Sequence, residues 1–135
     1  MRLGLDIGGT KIEAVVIDNT GEIVYRERCA TPKQSYGDFF QAVTEMIAKA
    51  RQAVNQPFSV GVGVPGAVDS EGLIKNSNIL VLNQQSFAQD LEQALGMAVP
   101  VTNDANCFTL SEAMDGSGYG HSVVFGVILG TGCGG

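Results

Sequence analysis

RLGLDIGGTKIEAVVIDNTGEIVYRERC, residues 2–29, is the stretch whose reading decides the fold. Apolar residues run from Leu3 to Leu5 and stop at Asp6-Ile7-Gly8-Gly9-Thr10-Lys11; a second run follows from Ile12 to Ile17. Asp18-Asn19-Thr20-Gly21 then marks a turn, because Asn and Gly tolerate left-handed backbone geometry. Three strands are expected, Arg2–Asp6, Ile12–Asp18 and Glu22–Cys29, in an antiparallel meander closed by Thr31-Pro32. The first turn holds a carboxylate, two glycines and a hydroxyl. Glycine lets a ligand approach the main chain, and successive N–H groups in such a turn form an anion-binding concavity. One reading is therefore a polyphosphate cradle with Mg²⁺ or its waters at Asp6. The other is an ordinary hairpin with a Gly-Gly turn.

Working outward, Phe39, Val43, Met46, Ile47, Ala50 and Val54 recur at helical spacing and predict a core-facing helix over Tyr36–Asn55. Ser35 and Asp38 are its candidate caps and Pro57 marks its exit. Ser59–Val64 reads as a buried strand ended by Pro65-Gly66, with Gly61 and Gly63 on one face where a helix or backbone can come close. Ala67–Lys75 reads as a short ribbon turning at Asp69–Gly72, and Asn76–Gln85 as a polar, Asn-rich loop. A second helix is expected over Ser86–Leu95, with a Ser86/Gln89 capping box and Gly96 as its stop. Val99–Thr102 is a strand, Ala105–Asp115 a third helix, and Ser122–Leu129 a last strand entering Gly130-Thr131-Gly132-Cys133-Gly134-Gly135. That final turn echoes the first, an apolar strand followed by Gly and Thr.

The chain has 135 residues, 44% apolar and 16% charged, which suits a domain with a real core rather than a disordered tail. A net charge of −6 argues against a nucleic-acid footprint. It is compatible with ATP held by main-chain N–H groups and Mg²⁺. Cys29, Cys107 and Cys133 show no metal-ligand spacing and read as reduced thiols of a cytoplasmic protein. Neither a signal peptide nor an apolar run of membrane-spanning length is expected.

Asn103-Asp104-Ala105-Asn106 falls at a strand-to-helix junction. A carboxylate there benefits from the helix N-terminus and can accept a proton from a substrate hydroxyl. Asn and Asp are equally the preferred N-caps, so capping and catalysis both stand. Pro65-Gly66 with Asn76-Ser77-Asn78 offers amide donors and acceptors suited to sugar hydroxyls, or forms an ordinary polar loop. Lys11 is not a Walker lysine, since no helix opens after it. Gly61-Val62-Gly63 lies within a strand and is not a dinucleotide turn. His121 lacks a nucleophile partner pattern and reads as a surface or strand residue.

Taken together these segments resemble the ROK family of sugar kinases, within the superfamily of hexokinase, actin and Hsp70. Asp6–Lys11 is similar to the family's first phosphate motif, Gly61–Gly66 to its substrate-side strand and turn, Asn103–Asn106 to its catalytic motif, and Leu129–Gly134 to its second phosphate motif. The resemblance implies an α/β, ribonuclease H-like N-terminal lobe, a mixed sheet flanked by helices. It implies Asp104 as general base. Gly66, Asn78, Asn103 and Asp104 would bind the sugar. Gly8, Gly9, Thr10, Lys11, Gly130, Thr131 and Gly132 would hold ATP phosphates, with Asp6 near Mg²⁺. Lys75–Asn78 and Leu82-Asn83 resemble fructokinases and mannokinases most, with N-acetylglucosamine kinases close behind, and a sugar-binding regulator is a further alternative. A tryptophan common in this loop is absent, and Val81 stands at or near its place. Family members are more than twice as long. The other half would carry the adenosine pocket, a Cys/His zinc site and further sugar contacts. The intact protein would be a homodimer, the isolated lobe inactive, and the start of the motif at Asp6 would leave no room for a DNA-binding segment.

Overall fold

In the computed structural model, which describes residues 1–129 and 133–134, the opening stretch forms the meander expected of it. Strands β1 (Arg2–Ile7), β2 (Lys11–Ile17) and β3 (Ile23–Ala30) pair antiparallel. The chain then crosses through helix α1 (Tyr36–Val54) to β4 (Ser59–Val64), which lies parallel to β1. A short ribbon, β5 (Ala67–Val68) and β6 (Ile74–Lys75), and helix α2 (Phe87–Leu95) precede β7 (Val101–Asn103), parallel to β4. Helix α3 (Asp104–Asp115) follows directly, and β8 (Ile128–Leu129) pairs with β9 (Cys133–Gly134). The main sheet has the order β3-β2-β1-β4-β7.

Alternation sets which face is the core. Leu3, Leu5 and Ile7 of β1, Ile12, Ala14 and Val16 of β2, and Val60, Val62 and Val64 of β4 are buried on one side. Against them pack Phe39, Val43, Met46, Ile47 and Ala50 of α1, and Phe87 and Leu91 of α2. Each large side chain so buried contributes roughly 1.5–3 kcal/mol. Helix α1 starts where Ser35 accepts the Asp38 N–H at 3.0 Å and donates its hydroxyl back to Asp38. It ends at Asn55, whose φ of 46° is left-handed.

Three expectations change. The Ser86/Gln89 capping box does not form: Ser86 makes no side-chain cap bond, and Tyr36 instead donates its phenol to Asp90 in the first turn of α2. The polar loop at 76–85 contains a 3-10 turn, Leu80–Leu82, and buries Ile79 and Leu82. The last strand is only Ile128–Leu129 rather than Ser122–Leu129. Residues 122–127 find no strand partner among the described residues, so their β-favouring composition is not used.

Phe39 is fully buried, its ring 5.5 Å from that of Phe87. Phe39→Ala should therefore destabilise the fold by about 3–5 kcal/mol, read as a lower midpoint in urea denaturation. A midpoint within error of the parent would contradict this packing.

Candidate active site

Three parallel strands, β1, β4 and β7, deliver their carboxyl ends to one edge of the sheet, where ligands of open α/β sheets bind. Asp6 pairs with Gly63, and Gly63 with Thr102, so these residues lie in one row across the sheet. A Cβ on Gly63 would come within 3.3 Å of the Cys107 sulfur and 3.5 Å of the Asp104 Cα. The first turn of α3 thus rests on the bare backbone of β4 and brings Asp104 beside Asp6. Both carboxylates line one open cleft of about 1070 Å³, with Glu13, Gly63, Thr102 and Cys107.

The electrostatics record the same convergence. Burial, then the charge of Asp104, then that of Glu13 raise the Asp6 carboxyl above its ordinary value, while Lys11 partly offsets them. The Cys107 thiol is pushed up by burial and by Asp104 and Asp6. Glu13 is held low, first by its hydrogen bond from Arg28 and then by the charges of Arg28, Arg26 and Lys11. Arg28 Nη2 lies 3.0 Å from one Glu13 oxygen and Arg26 Nε 2.8 Å from the other. The Arg26 contact is an ion pair only, for that oxygen accepts no hydrogen bond.

The Gly8–Lys11 turn is closed by Gly8 N–H donating to the Lys11 carbonyl at 2.9 Å. Among the described residues, the N–H groups of Gly9 and Thr10 donate to no protein acceptor. That leaves two free donors on a glycine turn beside Asp6, the chemistry an anionic oxygen requires. Gly8, Gly9, Thr10 and Lys11 are therefore brought together as expected. The expected second turn, Gly130, Thr131 and Gly132, lies outside the described residues.

Of the two candidate caps, Asn103 takes the position. Asn103 is the N-cap of α3: its Oδ1 accepts from Ala105 N at 2.9 Å and Asn106 N at 3.4 Å. Its Nδ2 donates to the Gly66 carbonyl at 2.6 Å, tying the turn after β4 to α3. Asp104 follows as the first helical residue, with one oxygen on the Ala105 N–H at 2.9 Å. Gly66 has a φ of +97°, and a Cβ there would lie 2.5 Å from the Lys75 carbonyl oxygen, so no other residue fits. Asn78 is exposed, and its amide would lie 3.3 Å from a Cβ on Gly9, against the glycine turn. No hydrogen bond occupies that amide among the described residues.

Sequence reasoning missed the residues that hold these groups. Asn83 clamps Ser77 twice, accepting its N–H at 2.9 Å and donating to its carbonyl at 3.0 Å, next to Asn78. Thr31 bonds the glycine turn itself. His121 is exposed, as expected. Cys29 and Cys107 are free, and no cluster of three metal-ligating side chains occurs among the described residues. Among those residues, no helix is long and apolar enough to cross a membrane.

This topology and the row of strand ends define a ribonuclease H-like α/β lobe of the hexokinase and actin type. The chain belongs to the ROK family, whose model matches residues 2–135. It is 45% identical over 135 residues to an N-acetylgalactosamine kinase of Shewanella sp. (strain ANA-3), covering 100% of this chain and 44% of that protein. It is 45% identical over 136 residues to an N-acetyl-D-glucosamine kinase of Histophilus somni (strain 129Pt), covering 100% of this chain and 45% of the relative. Among solved structures, a ROK family glucokinase from Streptomyces griseus, in complex with glucose and AMPPNP, superposes with a TM-score of 0.80 at 32% identity. That match covers 98% of this chain and 42% of the glucokinase. The chain thus spans less than half the length of these relatives.

Asp6 binds its proton more tightly in the fold than in the unfolded chain. Its contribution to stability is thus fully present below the ordinary value of 3.8 and lost as pH rises through the raised one. Asp6→Asn should therefore raise the melting temperature at about pH 7, and the gain should shrink as pH falls toward 3.8. A lower melting temperature, or a gain independent of pH, would contradict the repulsion from Asp104 and Glu13.

Proposed function

We propose that this chain is the N-terminal lobe of an ATP-dependent sugar kinase, transferring the γ-phosphoryl group to a sugar hydroxyl. One observation carries the reading: Asp104 and Asp6 line one cleft at the carboxyl ends of β1, β4 and β7, and the glycine turn with the unpartnered N–H groups of Gly9 and Thr10 follows directly on β1. The family relationship supports it.

In this reading Asp104 accepts the proton of the attacking hydroxyl as its oxygen bonds to phosphorus and the bond to the ADP oxygen breaks. Gly9 and Thr10 hold phosphate oxygens through their N–H groups, and Lys11 adds positive charge beside Asp6. Asp6 is the carboxylate suited to Mg²⁺ or its waters, and the raised proton affinity that burial and then the charges of Asp104 and Glu13 impose is what a nearby cation relieves. Mg²⁺, when bound, supplies charge neutralisation on the transferred phosphoryl group. Asn78, with its amide unpartnered among the described residues, and the Gly66 turn orient the sugar. Asn103 acts chiefly as the brace between that turn and α3, since its oxygen already accepts two N–H groups.

The acceptor is a hexose or an N-acetylated hexosamine. The relatives named above for N-acetylgalactosamine and N-acetyl-D-glucosamine favour the second over the fructose- or mannose-type substrate first expected. Catalysis requires a second lobe to close over the sugar and exclude water, so the lobe alone is not a competent enzyme.

Asp104→Asn in the intact protein should lower kcat about 10²–10⁴-fold while the calorimetric affinity for the sugar stays within about threefold. A variant with near-normal kcat would remove Asp104 from the role of base.

A further inference from the structure

Thr31 stands just past the end of β3, more than twenty positions from the glycine turn, yet it contacts that turn from beneath. Its hydroxyl donates to the Gly8 carbonyl at 2.7 Å, and its N–H donates to the Thr10 carbonyl at 3.0 Å. The residue is 7% exposed, one of two buried polar residues among those described. Both carbonyls are thereby occupied on the protein side. With Gly8 N–H engaged by Lys11, the N–H groups of Gly9 and Thr10 are left without a protein partner among the described residues. A peptide unit is planar, so fixing the carbonyl of Gly8 fixes the direction of the Gly9 N–H across the same bond. Pro32 follows, with its restricted φ holding the chain as it leaves the contact.

We infer that Thr31 is a positioning residue for the glycine turn: it anchors the Gly8 carbonyl, which aims the Gly9 N–H at a polyphosphate through their shared peptide plane, and it pins the Thr10 carbonyl at the other end of the turn. The inference rests on the sugar-kinase reading only for the identity of that polyphosphate as ATP. Thr31 touches no substrate. Its effect is selective, because the sugar side is braced separately by Asn103 on Gly66 and Asn83 on Ser77.

The test is Thr31→Val, which keeps the shape and removes the hydroxyl, alongside Thr31→Ser, which restores it. In the intact protein with Mg²⁺, calorimetric affinity for AMPPNP should fall roughly three- to tenfold in Thr31→Val, the effect of losing about one hydrogen bond. It should return in Thr31→Ser, while sugar affinity stays within about twofold in both. Measurements are made well below each variant's melting temperature, so a loss of stability alone does not move the affinity. Hydrogen exchange at the Gly8 and Thr31 amides, which donate to the Lys11 and Thr10 carbonyls, should also quicken in Thr31→Val. Unchanged AMPPNP affinity beside a lowered melting temperature would make Thr31 merely structural and overturn the inference. Equal losses for sugar and AMPPNP would overturn it too. Failure of the parent to bind AMPPNP would sink the nucleotide reading and this inference together. An active Asp104→Asn variant would sink only the assignment of the base.

Discussion

The contact of α3 with the bare backbone of β4 at Gly63 governs the site. Gly63 lies between Asp6 and Thr102 in a row across three parallel strands. With no side chain there, the first turn of α3 reaches the sheet, and Asp104 comes down beside Asp6. A Cβ there would already touch the Cys107 sulfur at 3.3 Å and the Asp104 Cα at 3.5 Å, so a side chain longer than a methyl would have to displace the first turn of α3. The two carboxylates are therefore neighbours because of a missing side chain on a third strand. Burial, then the charges of Asp104 and Glu13, raise the Asp6 carboxyl above its ordinary value, a cost that a cation beside it would relieve. The fold holds this tension because the opposite face of the same strands is packed with apolar side chains against α1 and α2.

Around this contact the loops are braced rather than loose. Thr31 holds the glycine turn, Asn103 holds the Gly66 turn, and Asn83 holds the segment before Asn78. Each brace is an uncharged hydrogen bond to main chain. For the ligands proposed above this would be preorganisation: loops held in place before binding need less ordering when a ligand arrives. The opposite flank is different in kind. Phe108, Leu110 and Met114 of α3 are exposed, so the helix that carries Asp104 is packed on one side only.

Local signals carried the fold further than the site. The turn at Asp6–Lys11, the alternation of β1 and β2, the caps of α1 at Ser35 and Asn55, and the bare strand face at Gly63 are each written in neighbouring residues. Thr31 and Asn83 were not legible, because their partners lie far along the chain or are backbone groups that leave no sequence mark. Ser86 and Gln89 show the converse. Their spacing suits a capping box, but Tyr36 takes hold of Asp90 and Phe87 is drawn into the core, so tertiary contacts set the start of α2. The run at 122–129 likewise has strand composition without a strand to pair with, apart from its last two residues. Which of Asn103 and Asp104 caps α3 was undecided in sequence for a physical reason: both residue types are good N-caps, and only the helix start shows which one takes the position.

The most direct measurement is a crystal structure of the intact protein with Mg²⁺, AMPPNP and a bound sugar. The account predicts phosphate oxygens on the N–H groups of Gly9 and Thr10, the sugar near Asn78 and the Gly66 turn, and the hydroxyl to be phosphorylated within hydrogen-bond reach of Asp104. Phosphates bound away from the glycine turn, or a sugar with no hydroxyl at Asp104, would contradict it.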